Sequence, residues 1–190
     1  MTGSSLEMVD IIESSHDYLG EVAAGITPAH LPQPSMCRDW TTEDVLNHLL
    51  EGLTVFAAGH GGTPLERAGH IRDVGPAELL IAPIQHNLAF WRSPGSFDGE
   101  IELPIGRFPA ETAAMIECIE LVVHGWDAAQ GAGLDLPIPE HVAATLLEFC
   151  GRFDLDSLRA HGALEQPIDC PPTAPSSHRL LSLLGRRPPT

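Results

Sequence analysis

The chain has 190 residues, 43% of them apolar and 19% charged, which fits one folded domain with a sizeable core. Its formal net charge is −16 and all ten basic residues are arginine, so nucleic acid phosphates and anionic lipid surfaces would repel it. No apolar run is long enough to span a bilayer, and the start, Met1 to Glu7, has no basic segment followed by an apolar block; a cytoplasmic protein without a signal peptide is expected.

In chain order, Leu6 to about Ala24 reads as a first helix, with Ile12, Leu19 and Val22 among its apolar positions. Residues 27–39 are proline-rich and irregular. Thr41 then offers an N-cap, Asp44 stands three residues on, and Trp40 can staple against Val45, so a second helix opens there. Its apolar stripe is Val45, Leu46, Leu49, Leu50, Leu53, Phe56 and Ala57, and it ends near Gly59. Residues 60–75 read as a connection with few anchors. A third helix opens at Pro76 and runs to about Trp91, with Pro83 inside it as a kink or late start. Glu100–Leu103 and Ile105–Phe108 are short extended pieces, a small hairpin at most. A fourth long helix runs from about Ala110 to Gly131 or Gly133. A shorter one covers Pro139 to about Phe153. Residues 166–175 are extended, and Ser176–Leu184 forms a last helix stopped by Gly185. The expected fold is all-α with minor β: an antiparallel four-helix bundle over residues 1–165, and a C-terminal tail over 166–190 packing on it.

The fourth long helix carries the chemistry. Met115, Ile116, Ile119, Val122, Val123 and Trp126 share one side, and small or apolar residues fill most other directions. One narrow strip differs: Glu117, Glu120, His124 and Asp127. No Lys or Arg occurs between Phe108 and Gly151. Buried carboxylates need a positive partner or they neutralise. A metal ion is the simplest partner for Glu120 and His124, one helical turn apart. Spacing alone is weak: with 26 acidic residues and 10 histidines, about two carboxylate or histidine residues would stand four before a histidine by chance. The chain has Asp44/His48, Glu66/His70 and Glu120/His124. Burial of the surrounding helix favours the last pair, and Glu66/His70 reads as coincidence.

His48, just outside the apolar stripe of the second helix, is the best third ligand; Gly52, one turn on, leaves the same face without a side chain. Two histidines and a carboxylate suit zinc, and also nickel, iron, manganese or cobalt. Three protein ligands leave a position open, as in catalytic sites. Asp127 and Glu117 are candidates to orient the metal-bound histidines. The remaining histidines, His16 among them, read as surface residues. Cys118 and Cys150 read as core residues, and Cys37, in the loop before the second helix, as a packed thiol.

Several motifs converge on one family. Cys37-x-x-Trp40-Thr41 followed by His48 resembles the opening motif of the mycothiol-dependent maleylpyruvate isomerase N-terminal-domain family, one of the DinB-like metal-binding bundles. Glu120-x-x-x-His124-Gly125-Trp126-Asp127-x-Ala129 is similar to its second motif. Pro104-x-Gly106-x-x-Pro109-Ala110-Glu111 fits between them, and the ending Arg179-Leu180-Leu181-x-Leu183-Leu184-Gly185-Arg186-x-Pro188 resembles that of a single-domain branch. The resemblance implies a metal held by His48, Glu120 and His124, with mycothiol as a co-substrate. The characterised isomerase carries a further C-terminal α/β domain, so a reaction other than maleylpyruvate isomerisation is expected. The leading expectation is a metal-dependent, thiol-using transferase or isomerase acting on an electrophilic small molecule. A metal-dependent hydrolase, or a non-catalytic small-molecule binding protein on the same fold, is the alternative. A homodimer is compatible with the sequence.

Overall fold

The computed structural model describes residues 3–59, 61, 70–160 and 164–189. The fold is all-α with minor β. Two compact units divide at Leu136/Pro137. In the first, four long helices form a bundle: α1 (Gly3–Gly25), α2 (Thr42–Gly59), α4 (Pro76–Trp91) and α5 (Ala110–Gly131), with the short α3 (Ile71–Val74) before α4. α1 and α2 each pack against both α4 and α5. The expected stripes of α1 and α2 form the interior, with Ile12, Leu19 and Val22 on α1 and Val45, Leu46, Leu49 and Leu53 on α2 buried. On α5, Met115, Val122, Val123 and Trp126 of the expected side are buried, but Ile116 and Ile119 are only half-buried, and Ala114, Cys118 and Leu121 from other directions are buried as well.

Helix directions differ from a simple antiparallel bundle. α2 and α5 do run antiparallel: Gly131, at the end of α5, lies against Thr42, and Gly59, at the end of α2, lies against Glu102 just ahead of α5. α1 and α5 run parallel, since His16 meets Glu117, Tyr18 meets Gly125 and Gly25 meets Leu134. After α2 the chain returns to the end where that helix began. Arg72 of α3 pairs with Glu43, its Nε 2.6 Å from Oε1, and α4 then runs alongside α2, with the Asn87 amide donating to Leu53 O at 3.0 Å. The long connection between Gly59 and Ile71 permits this parallel return; a short turn would have forced the opposite direction.

Local signals explain the boundaries. Thr41 and Asp44 form a reciprocal cap: the Asp44 N–H reaches Thr41 Oγ1 at 3.2 Å, and the Thr41 N–H reaches Asp44 Oδ2 at 2.8 Å. α5 ends in a turn with Gly133 at φ +68°, closed by the Leu134 N–H on Ala129 O at 2.8 Å. The hairpin pairs β1 (Glu100–Leu103) with β2 (Gly106–Pro109), the second strand one residue later than expected because Pro104 and Ile105 form the turn. Ile101 and Leu103 turn inward.

The second unit contains α6 (Glu140–Cys150), α7 (Leu155–Ala160) and α8 (Ser176–Leu183). α6 packs on α8, and the Glu140 carboxylate receives the Ser176 and Ser177 N–H groups at the start of α8. Among the described residues, no helix is long and apolar enough to cross a membrane.

Candidate metal centre

The antiparallel pairing of α2 and α5 sets the first turns of one beside the last turns of the other. His48 projects from α2, and Glu120 and His124 from α5. His48 Nε2 is 3.1 Å from Glu120 Oε2, and His124 Nε2 is 3.5 Å from the same oxygen. Two ligands bonded to a tetrahedral ion at about 2.1 Å stand about 3.4 Å apart, close to these two separations, and the ligand atoms of all three residues lie within 4.8 Å of one another. The three residues form a group that could hold a metal ion. The His48 and Glu120 side chains are each 38% exposed, which leaves one side of the group open to solvent.

Trp40 stands at the rim. Its indole lies 5.2 Å from the His48 ring and 6.1 Å from the His124 ring, nearly parallel to the latter, while the residue itself is 37% exposed. The loop that carries it is tightly tied. Ser35 Oγ donates to Trp40 O at 2.9 Å and accepts the Cys37 N–H at 3.1 Å, and the Ser35 N–H bonds Trp40 O. The turn is completed by Asp39 at φ +63°. Gly131 lets this loop approach: a Cβ there would stand 3.0 Å from Pro34 O and 3.1 Å from the Ser35 Cα.

The far nitrogen of His124 faces a second group. Nδ1 is 3.1 Å from Asp127 Oδ2 and 3.5 Å from Cys37 Sγ, and the thiol lies 3.0 Å from the same Asp127 oxygen. Asp127 is fully buried. Cys37, His124 and Asp127 also form a group that could hold a metal ion. Cys37 is thus more than the packed thiol its local sequence suggests, because its neighbours here lie 87 and 90 residues away.

Charges shape the titration of the site. The hydrogen bond to Glu120 raises the His48 pKa, burial works against it, and the charges of Glu120 and Glu51 add to the rise. Burial, and then the charge of Asp127, push the Tyr18 phenol well above its usual range; its hydroxyl donates to Leu136 O at 3.0 Å.

Glu117 does not face this centre. It is buried on another side of α5, where Oε1 meets His16 Nε2 at 3.1 Å and Oε2 accepts the Trp91 indole N–H at 2.7 Å. It therefore orients neither His48 nor His124. A three-residue step on a helix turns the side chain by about 60° relative to Glu120, enough to aim it between α1 and α4. His16, read as a surface residue, is fully buried in that contact, with Nδ1 against Ile12 O at 2.8 Å. Asp44 serves the helix cap of α2. His70 precedes α3 and is exposed, while Glu66, His60 and His161 lie outside the described residues.

No protein-family model matches the chain. It is similar to an uncharacterized protein of Mycobacterium tuberculosis, found in two strains, at 23% identity over 177 residues, which covers 92% of this chain and 94% of the relative. No solved structure matches it.

Proposed function

We propose that the protein is a metal-dependent enzyme of the DinB-like, maleylpyruvate isomerase-like kind, in which His48, Glu120 and His124 hold one divalent ion, zinc by preference. The observation that carries this reading is the convergence of two imidazoles and a carboxylate, drawn from two helices, on one partly exposed point. Borderline nitrogen and oxygen donors with an open position suit catalytic zinc. An ion held there would supply a Lewis-acid position that favours the thiolate form of a bound thiol.

The chain's own residues would do the rest. With an ion on the Glu120 side, Asp127 would accept the proton of His124 Nδ1 and leave the Nε2 lone pair facing Glu120 and the ion. Trp40 shields one side of the two imidazoles and leaves the approach past His48 and Glu120 to the reactants. Glu120 balances one of the two charges of the ion, so the centre favours an anionic partner. The reaction proposed is transfer or isomerisation of an electrophilic small molecule with a low-molecular-weight thiol, mycothiol, as co-substrate.

Metal analysis of protein purified without a histidine tag, followed by electrophile consumption with and without mycothiol, tests the reading. One ion per chain and thiol-dependent turnover are expected. Turnover without thiol would replace it with the hydrolase reading, and ligand binding without turnover would make the protein a binder. Failure of His48→Ala and His124→Ala to lower metal content would remove the centre.

A further inference from the structure

The two ring nitrogens of His124 face separate donor sets. Nε2 faces Glu120, and Nδ1 faces Asp127 and Cys37. The triangle formed by Nδ1, Asp127 Oδ2 and Cys37 Sγ has edges of 3.1, 3.0 and 3.5 Å. Its centre lies about 1.9 Å from each corner, so an ion lifted about 1 Å out of the plane stands about 2.1 Å from all three, near the bond lengths of zinc to nitrogen and oxygen and slightly inside that to sulfur. A shift of a few tenths of an ångström in Cys37 completes the fit.

We propose that Cys37, His124 and Asp127 form a second cation site, for thiophilic divalent ions, and that it excludes occupancy of the His48, Glu120 and His124 centre. The exclusion follows from the imidazole. A neutral ring has one lone pair and one N–H. An ion on Nδ1 puts the proton on Nε2, where Glu120 Oε2 can accept it; an ion on Nε2 puts the proton on Nδ1, where Asp127 accepts it. Both arrangements are satisfied, and the ring can adopt only one at a time.

Charge and donor chemistry separate the two sites. A thiolate and a carboxylate neutralise a divalent ion, which suits a site whose Asp127 is fully buried. The other centre has one carboxylate and is more exposed. Sulfur selects soft ions, whereas the His48 side offers only nitrogen and oxygen. The binding step is balanced: the ion gains a bond to Sγ, the thiol proton leaves to solvent, and the imidazole remains neutral with its proton on Nε2. One proton is released per ion. The site itself stands on its own geometry; only the exclusion rests on the reading of the first centre.

The test is a cadmium titration of the full chain at mildly alkaline pH, followed by sulfur-to-metal charge-transfer absorption, a pH indicator and total metal analysis. A band saturating at one ion and one released proton per chain is expected. His48→Ala and Cys170→Ser should retain the band, and Cys37→Ser should lose it while keeping the native circular dichroism and still binding zinc. Saturating cadmium should displace zinc, leaving one ion in total. Absence of the band, its survival in Cys37→Ser, or its loss in His48→Ala would overturn the second site. Retention of zinc beside cadmium would overturn the exclusion. Absence of zinc binding in protein that shows the cadmium band would instead count against the first centre.

Discussion

His48 Nε2 and Glu120 Oε2 lie 3.1 Å apart although 72 residues separate them in sequence. Without an ion this contact favours the imidazolium, and His48 holds its proton to higher pH than an ordinary histidine. A raised pKa stabilises the ion-free fold at low pH, and that contribution is lost as pH rises through the folded-state value. Metal has the opposite preference, because it needs the neutral ring. Metal affinity should therefore begin to fall, on acidification, at a pH above the ordinary histidine value of about 6.5. NMR titration of the His48 ring in ion-free protein checks this, and Glu120→Gln should move the midpoint down.

Gly131 should tolerate no side chain. A Cβ there would stand 2.5 Å from Thr42 Oγ1 and 3.0 Å from Pro34 O. The hydroxyl can rotate away, but the backbone carbonyl cannot. Gly131→Ala should cost about 1–3 kcal/mol through overpacking and weaken metal retention by shifting the Cys37 loop. Gly20→Ala is the contrast: nothing lies within 4 Å of its added Cβ, so a gain of up to about 1 kcal/mol from helix propensity is expected. Urea unfolding of the two variants should give opposite signs.

The buried contact among His16, Glu117 and Trp91 is a structural tie between α1, α5 and α4. Glu117→Ala removes the partner of the buried His16 ring and leaves the buried Trp91 indole N–H without its acceptor, which should cost about 3–5 kcal/mol. Metal stoichiometry of the folded fraction should stay unchanged, because Glu117 faces away from the centre. A specific loss of metal from folded Glu117→Ala protein would contradict that placement.

The cap of α2 should control its acid limb. Hydrogen bonds from the Thr41 hydroxyl and backbone hold the Asp44 carboxyl below its usual range. A depressed pKa contributes stability above the unfolded-state value, and the contribution disappears as pH falls through the folded one. Asp44→Asn should flatten stability against pH below about 4. Thr41→Ala should cost about 1 kcal/mol. Thermal unfolding from neutral to acid pH reads both.

Local patterns were legible in the sequence. Glu120 and His124 announce themselves by one-turn spacing in a helix without cations, and Thr41 with Asp44 marks the start of α2 within four residues. Contacts across the bundle were not. His16 shows its role only against Glu117, 101 residues away, and Cys37 only against His124 and Asp127. α3 and α7, of four and six residues, are too short for periodicity to register. Helix direction was hidden as well, because the parallel return into α4 depends on a connection that has no pattern of its own.

The connection that makes that return also separates the candidate donor residues in sequence. His48 and Cys37 precede the connection after Gly59, while Glu120, His124 and Asp127 follow it. Each donor triad therefore needs both parts of the chain, and a break in the connection would produce two fragments that hold incomplete sets. An ion bound at either triad would act as a noncovalent staple between them. Metal would then report reassembly of a nicked protein, and fragments mixed with zinc should associate more tightly than fragments mixed with a chelator.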